Sequence, residues 1–313
     1  MQSHDRMKNT QSRLERTTLF VPASSWPMIE KAAASAADAI CLDLEDSVTA
    51  TEKAGSRANV IRALEELDFG RRTRMVRINA LDGPYAYRDI IEVVEAAGKH
   101  LDMVMIPKVE LPGDIDFVDR LLTQVEAHCR LEQPITLEAQ IETAAGFLAL
   151  AAIAASSPRL ESLAFGPGDY AASLQMPASS IGETGEHDAA YPGHRWHAVM
   201  HAIVAAARAH GLRCVDGPYA AYRDDAGLDR ACRISRAMGF DGKQCIHPGQ
   251  LAPANTFFSP SAAEVAHAEE VVRAYQTAAS QKHGAVSLNG RMVDAASVRI
   301  AQTIINKHRL IQS

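Results

Sequence analysis

The chain has 313 residues, 47% of them hydrophobic and 22% charged, a globular composition that excludes disordered, collagen-like and coiled-coil proteins. Its 32 basic and 38 acidic residues give a net charge of −6, which argues against nucleic acid as the partner and leaves room for a local basic pocket. No apolar run approaches the roughly 20 uncharged residues of a membrane-spanning helix, so no membrane insertion is expected.

The opening MQSHDRMKNTQSRLERTT has no apolar stretch and mixes acidic with basic residues, so residues 1–16 read as a short disordered lead-in of a cytoplasmic protein. From residue 17 onward, short apolar or β-branched runs alternate with Ala-rich amphipathic stretches. Strands are predicted at Thr18–Val21, Ala39–Leu44, Thr73–Ile78, Met103–Ile106, Thr136–Ile141, Leu160–Phe165, Arg213–Val215 and Gly242–Ile246. The helical patterns between them fall at about Met28–Ala37, Thr51–Leu67, Tyr85–Ala97, Asp114–Cys129, Ala144–Ser156, Arg195–His210 and Gly227–Met238. Eight such strands predict an α/β fold, a (β/α)8 TIM barrel over residues 17–258. A doubly wound open sheet is the alternative, but no strand is followed by GxGxxG. The stretch Pro177–Gly193 is long for a loop and is predicted as a lid. A helix from Ser261 to about Ser280, a turn at Leu288-Asn289-Gly290 and a helix from Ala295 form a C-terminal helical extension, residues 259–313, acting as lid or intersubunit arm. Five cysteines, Cys41, Cys129, Cys214, Cys232 and Cys245, lack CxxC or zinc spacing and read as core residues in a reducing compartment.

In a barrel, residues just past the C-terminal strand ends converge on one mouth. Here those points carry Asp43-Leu44-Glu45-Asp46, Arg77-Ile78-Asn79, Pro107-Lys108-Val109-Glu110, Glu142-Thr143, Gly166-Pro167-Gly168-Asp169, Asp216 and Gln244-Cys245-Ile246-His247-Pro248. Carboxylates crowded into one mouth repel one another unless a cation neutralises them. Mg2+, with Mn2+ as a substitute, takes one or two protein carboxylates and fills its shell with water or substrate oxygens. Glu142 and Asp169, on adjacent strands, are the expected ligands; capping a helix or pairing with Lys108 is the alternative for either. Arg77 is expected to grip a carboxylate or a developing oxyanion, or else to form a buried salt bridge with Glu45 or Asp46. Gly168 lies in a Gly-Pro-Gly turn that lets backbone approach a ligand. His247 is read as structural.

These strand ends resemble the citrate lyase β-subunit / malyl-CoA lyase superfamily (HpcH/HpaI aldolase-like) from about Thr17 to Ile305. The motifs are LFVPA from Leu19, LDLEDSV from Leu42, VRINA from Val76, MIPKVE from Met105, QIET from Gln140, FGPGDYA from Phe165, MGFDGKQCIHPGQ from Met238 and FFSPSAAEV from Phe257. The runs Arg77–Tyr85, Leu101–Glu110, Phe165–Ser173 and Arg195–Leu212 resemble malyl-CoA or citramalyl-CoA lyases more than citrate lyase subunits. The resemblance implies reversible Claisen-type cleavage of a 3-hydroxy-dicarboxylic acyl-CoA into an acyl-CoA and a 2-oxo acid, glyoxylate or pyruvate. It implies Mg2+ on Glu142 and Asp169, catalysis by Arg77, and substrate contacts from Arg77, Glu45, Lys31 and Gly168. It also implies a homo-oligomer, trimer or hexamer, in which the C-terminal segment covers a neighbour's mouth and delivers the acid/base Asp294. Asp294 could instead only cap the last helix. After the first strand the family commonly carries an arginine for the CoA phosphates, whereas this chain has Ala23-Ser24-Ser25-Trp26; Lys31 is left as a phosphate contact, and Trp26 either stacks on adenine or packs the first helix. The competing functions are a citryl lyase β-subunit acting on an acyl carrier, a malyl-CoA thioesterase and a catalytically silent assembly subunit.

Overall fold

A computed structural model describes residues 13–177, 181–183, 188, 195–281 and 283–313. Most of the expected lead-in and most of the expected lid at Pro177–Gly193 lie outside the described residues.

Eight parallel strands close into a barrel in chain order. They are β1 Thr17–Pro22, β2 Ala39–Asp43, β3 Thr73–Arg77, β4 Met103–Ile106, β5 Thr136–Ile141, β6 Leu160–Phe165, β7 Arg213–Asp216 and β8 Gly242–Cys245. Closure comes from β8 pairing back onto β1 at Thr17, Thr18 and Leu19. Every residue of β2, β4, β6, β7 and β8 is buried, because the helices cover the outer face and side chains fill the inner one. The outer layer is α1 Trp26–Ala33, α2 Lys53–Glu66, α3 Ala86–Ala97, α4 Pro112–Cys129, α5 Ala144–Leu148, α6 Leu150–Ala154, α7 Pro167–Ser173, α8 His197–Ala209, α9 Asp225–Met238 and α10 Leu251–Phe258. The single helix expected over Ala144–Ser156 is broken at Ala149, whose ψ of 2° leaves the helical range. The short α7 was not expected; Pro167 at its first turn has a φ already suited to a helix start.

The floor of the barrel, at the N-terminal strand ends, is polar. Glu15, just ahead of β1, is buried against Arg213 of β7, with Nε of the arginine 2.8 Å from Oε2. Burial, and after it the charge of Glu15, pushes the fully enclosed Glu138 of β5 well above the usual carboxyl range, and Ser162 donates its hydroxyl to it. Gly242 admits this segment: a Cβ there would sit 1.7 Å from the Glu15 carbonyl oxygen.

Beyond the barrel, α11 Ala262–Ser280 and α12 Ala295–Gln312 pack together with a hairpin of β9 Val286–Leu288 and β10 Arg291–Val293. Its turn, Asn289-Gly290, has φ of 51° and 77°, the positive pair that a type I′ connection demands. Ala268, Val271, Val293, Ala301 and Ile305 form an apolar cluster separate from the barrel core. The far end of α12 docks on the barrel floor, where Lys307 Nζ donates to the carbonyl of Asp241, 2.9 Å away and one residue ahead of β8. Among the described residues no helix is long and apolar enough to cross a membrane.

Candidate active site

The mouth is organised around Arg77, the last residue of β3. Asp43, the last residue of β2, lies beside it in register and accepts from Nε and Nη2, both at 2.7 Å. This two-pronged contact fixes the guanidinium plane. The third nitrogen, Nη1, faces Glu45 Oε2 at 3.0 Å. Burial works to raise the pKa of Asp43, but the charge and hydrogen bonds of Arg77 outweigh it and hold the carboxylate ionised. Asp43 is also tied by the Glu45 N–H at 2.9 Å and the Ser47 hydroxyl at 2.5 Å. The salt-bridge alternative thus holds for Glu45 but not for Asp46, whose partner is Lys108.

Glu45 is 4% exposed, and burial raises its pKa against the pull of Arg77 and Lys108. Lys108 Nζ bonds its Oε1, while Oε2 receives no hydrogen bond among the described residues. The Asp43–Asp46 turn is held from below by Lys53, whose ammonium is buried and donates to the carbonyls of Leu44 and Glu45, each at 2.7 Å. Lys108 itself has φ 49°, a left-handed conformation that a non-glycine residue adopts at some cost, and this turns its backbone N–H onto Glu142.

Glu142 follows β5 and is 1% exposed. Its Oε1 accepts from the Lys108 N–H at 2.8 Å and its Oε2 from the Gln140 amide at 2.5 Å. Burial first, then the charges of Glu45 and Asp169, push its carboxyl up to about 7 against the opposing effect of Arg77. Of the two predicted alternatives for Glu142, pairing with Lys108 occurs only through the backbone. Asp169 stands half-buried in the first turn of α7, near enough for its charge to be felt by both Glu142 and Lys108. Gly166 permits this packing, since a Cβ on it would lie 2.2 Å from Glu142 Oε2 and 2.5 Å from Glu142 Cβ.

A buried carboxyl whose proton is held more tightly than usual by burial and by neighbouring negative charge, with a second carboxylate at hand, is what a hard divalent cation would neutralise, so the Glu142–Asp169 pair fits Mg2+, which takes one or two protein carboxylates. The hydrogen bonds from Lys108 and Gln140 would hold such a ligand in orientation.

Arg77, Glu45, Glu142 and Asp169 are therefore brought together, and Gly168 sits one position ahead of Asp169 with the side chain of Ile181 over it. Lys31 is not brought there: it is exposed in the last turn of α1, which leads away from the mouth. The Arg62 guanidinium lies 3.8 Å above the Trp26 ring and so occupies one of its faces. Asp294 is also absent from its own chain's mouth. It caps α12, with Oδ1 accepting from the Ser297 N–H at 2.9 Å, and the thirteen residues of helix from there to Lys307 on the floor span about 20 Å. His247 likewise caps a short turn, its Nδ1 accepting from the Gly249 N–H at 3.1 Å. Asp43 and Gly166 were marked only as strand-end residues and Gln140 only as part of a motif, none with a role, and Lys53 was missed. Gln140 had a usable signal, because two residues before Glu142 on a strand is the same face.

A closed barrel with an arginine and a carboxylate pair at its C-terminal mouth defines a class of enzyme in which negative charge is handled on oxygen. Residues 16–248 match the family described as HpcH/HpaI aldolase/citrate lyase, and the chain belongs to it. It is an enzyme, a carbon–carbon lyase of the citrate lyase β-subunit / malyl-CoA lyase type. Among its relatives, an L-malyl-CoA/β-methylmalyl-CoA lyase of Cereibacter sphaeroides is 44% identical over 308 residues, covering 96% of this chain and 97% of that protein. A (3S)-malyl-CoA thioesterase of the same species is 37% identical over 299 residues, covering 95% of each. The crystal structure of CitE from Mycobacterium tuberculosis in complex with magnesium, acetoacetate and coenzyme A superposes with a TM-score of 0.74 at 28% identity, covering 96% of this chain and 99% of that one.

Proposed function

We propose that this enzyme reversibly cleaves a 3-hydroxy-dicarboxylic acyl-CoA of the malyl-CoA, β-methylmalyl-CoA or citramalyl-CoA type into an acyl-CoA and glyoxylate or pyruvate, in the cytoplasm. The observation that carries the reading is the Arg77 guanidinium clamped by Asp43 next to the Glu142–Asp169 pair. Cleavage requires charge to be drawn off the substrate hydroxyl oxygen as it becomes a carbonyl. Bound Mg2+, or Mn2+ in its place, would supply Lewis acidity there, held by Glu142 and Asp169. Arg77, prevented from turning by Asp43, offers N–H groups to the oxo-acid oxygens without reorganising during the reaction. Glu45 lies between Lys108 and the Nη1 of Arg77, and so helps fix both cations at the mouth. The departing thioester enolate needs a proton at carbon.

That proton is assigned to Asp294 of a neighbouring subunit in a homo-oligomer, a trimer or hexamer with shared sites. What supports the assignment is the position of the C-terminal unit. It carries its own apolar cluster, it docks on the floor through Lys307, and it leaves Met292 75% and Ile300 67% exposed beside Asp294. The Ser297 N–H keeps the Asp294 carboxyl below its usual range in the isolated chain, and burial over a neighbour's mouth would raise it. The 37% identical thioesterase favours one second reading, hydrolysis of malyl-CoA at the same site.

The test is to incubate pure protein and Mg2+ with malyl-, β-methylmalyl-, citramalyl- and citryl-CoA and identify products by mass. Acyl-CoA with a 2-oxo acid supports the lyase, free malate with CoA the thioesterase, and full turnover in a chelator refutes the metal site. For the shared site, inactive Asp294→Asn and Glu142→Ala subunits are mixed under conditions of proven exchange. Activity should return, and its failure to return refutes the assignment.

A further inference from the structure

On the face opposite the mouth, a cavity of about 390 Å³ opens where β1, β2 and β3 begin. The residues immediately ahead of those strands, Arg16, Asp38 and Arg72, all line it, joined by Arg13, Arg71 and, from the last turn of α12, Leu310. The four guanidiniums are not equally neutralised. Arg16 is spent on Asp38 in a two-pronged contact at 2.8 and 2.7 Å and on the Ser259 hydroxyl at 2.9 Å. Arg13 stands 3.6 Å from Asp102 and 3.7 Å from Glu161, both already paired with other arginines. Arg72 bonds two backbone carbonyls, Ser35 at 2.6 Å and Phe69 at 3.1 Å, and Arg71 one, Ile311 at 3.3 Å. Carbonyls satisfy N–H groups but carry no counter-charge. Among the described residues no carboxylate lies within ion-pair distance of Arg71 or Arg72.

Two adjacent guanidiniums with carbonyl partners but no ion-pair partner among the described residues, lining a cavity of small-molecule size, have the chemistry of an oxyanion subsite. We propose that this cleft binds a small compound with two anionic oxygen groups, phosphoryl or carboxylate. Among the described residues no aromatic ring lines the cavity, so recognition rests on the charged groups. A ligand there would tie the starts of three strands to the end of α12, the helix that begins at Asp294. It would thus firm the attachment of the C-terminal unit without touching the mouth. The site stands on its own geometry and does not depend on the reaction proposed above.

The test uses the whole protein in metal-free buffer, titrated calorimetrically with inorganic pyrophosphate and, separately, with citrate, at an ionic strength held constant with NaCl. Saturable binding below about 1 mM is expected, together with slower amide exchange over Lys307–Ser313. Arg71→Glu should weaken it at least tenfold; because Arg71 is exposed, the variant's circular dichroism and ligand-free melting point should match the parent, and Arg72→Lys should weaken binding less. Tighter pyrophosphate than citrate identifies a phosphoryl ligand, and the reverse order a polycarboxylate. Binding that is unchanged in Arg71→Glu lies elsewhere, at the mouth for instance, and overturns the proposal, as does the absence of saturation by 10 mM of either probe.

Discussion

Gly166→Ala isolates the packing that holds Glu142. The backbone at Gly166 has a negative φ, −107° with ψ 88° at the edge of the extended region, so the main effect of the substitution is the added methyl. That methyl carbon would fall 2.2 Å from Glu142 Oε2, 2.5 Å from Glu142 Cβ and 3.0 Å from Gln140 Nε2. Carbon contacts settle near 3.5–4.0 Å, so the overlap is about 1 Å or more. Rotating the carboxylate does not relieve it, because the Glu142 Cβ is itself too close and is fixed to the backbone at the end of β5. Either β5 or the Gly166 turn must shift by roughly that distance. Overpacking of this kind costs about 1–3 kcal/mol of stability. Displacing a reacting group by about 1 Å costs turnover on the order of 100-fold. Disturbing the atoms that orient a metal ligand lowers metal affinity by about 10–100-fold. Mg2+ titration calorimetry, steady-state kinetics and urea unfolding of the same preparation read all three. Gly113→Ala, on the exposed first turn of α4 with nothing within 4 Å of an added Cβ, is the control, and it should stay within about threefold of the parent in affinity and rate. If Gly166→Ala binds Mg2+ and turns over like the parent, the close contact is not what positions Glu142.

Arg77→Lys keeps a charge but cannot make the two parallel bonds to Asp43 and still reach substrate, so kcat should fall by on the order of 100-fold or more; a near-parental rate would reduce Arg77 to a structural ion pair. Glu264 is held at about 2, first by the Arg236 guanidinium at 2.6 Å and then by the Ser261 N–H. Its folded pKa is depressed below the ordinary 4.5, so its contribution is present above about pH 4.5 and lost as the pH falls towards 2. Because the side chain is 40% exposed, Glu264→Gln should cost only about 1 kcal/mol in urea unfolding at pH 7. That deficit should shrink steadily below pH 4.5, and a pH-independent deficit would contradict the assignment.

What the sequence determined by itself is the local and periodic part of this protein. Runs such as Ala-Ile-Cys-Leu at 39–42 are apolar because a strand buried on both faces has no solvent side, and their alternation with amphipathic helices leaves few topologies open. Once the barrel is inferred, the strand-end rule alone brings Arg77, Glu142 and Asp169 to one mouth. Tertiary structure decided the rest. The left-handed Lys108, the closeness of Gly166 to Glu142 and the clamping of Arg77 by Asp43 are contacts between neighbouring strands or loops, and a chain pattern with a period of 2 or 3.6 carries no information about what lies across a strand pair. The hairpin at Val286–Val293 has strands of three residues, too short for alternation to register, and only its Asn-Gly turn is visible in the chain. The basic cleft is likewise assembled from residues 13, 16, 71, 72 and 310, which come together because β1 and β3 flank β2 in the barrel and α12 returns to its floor.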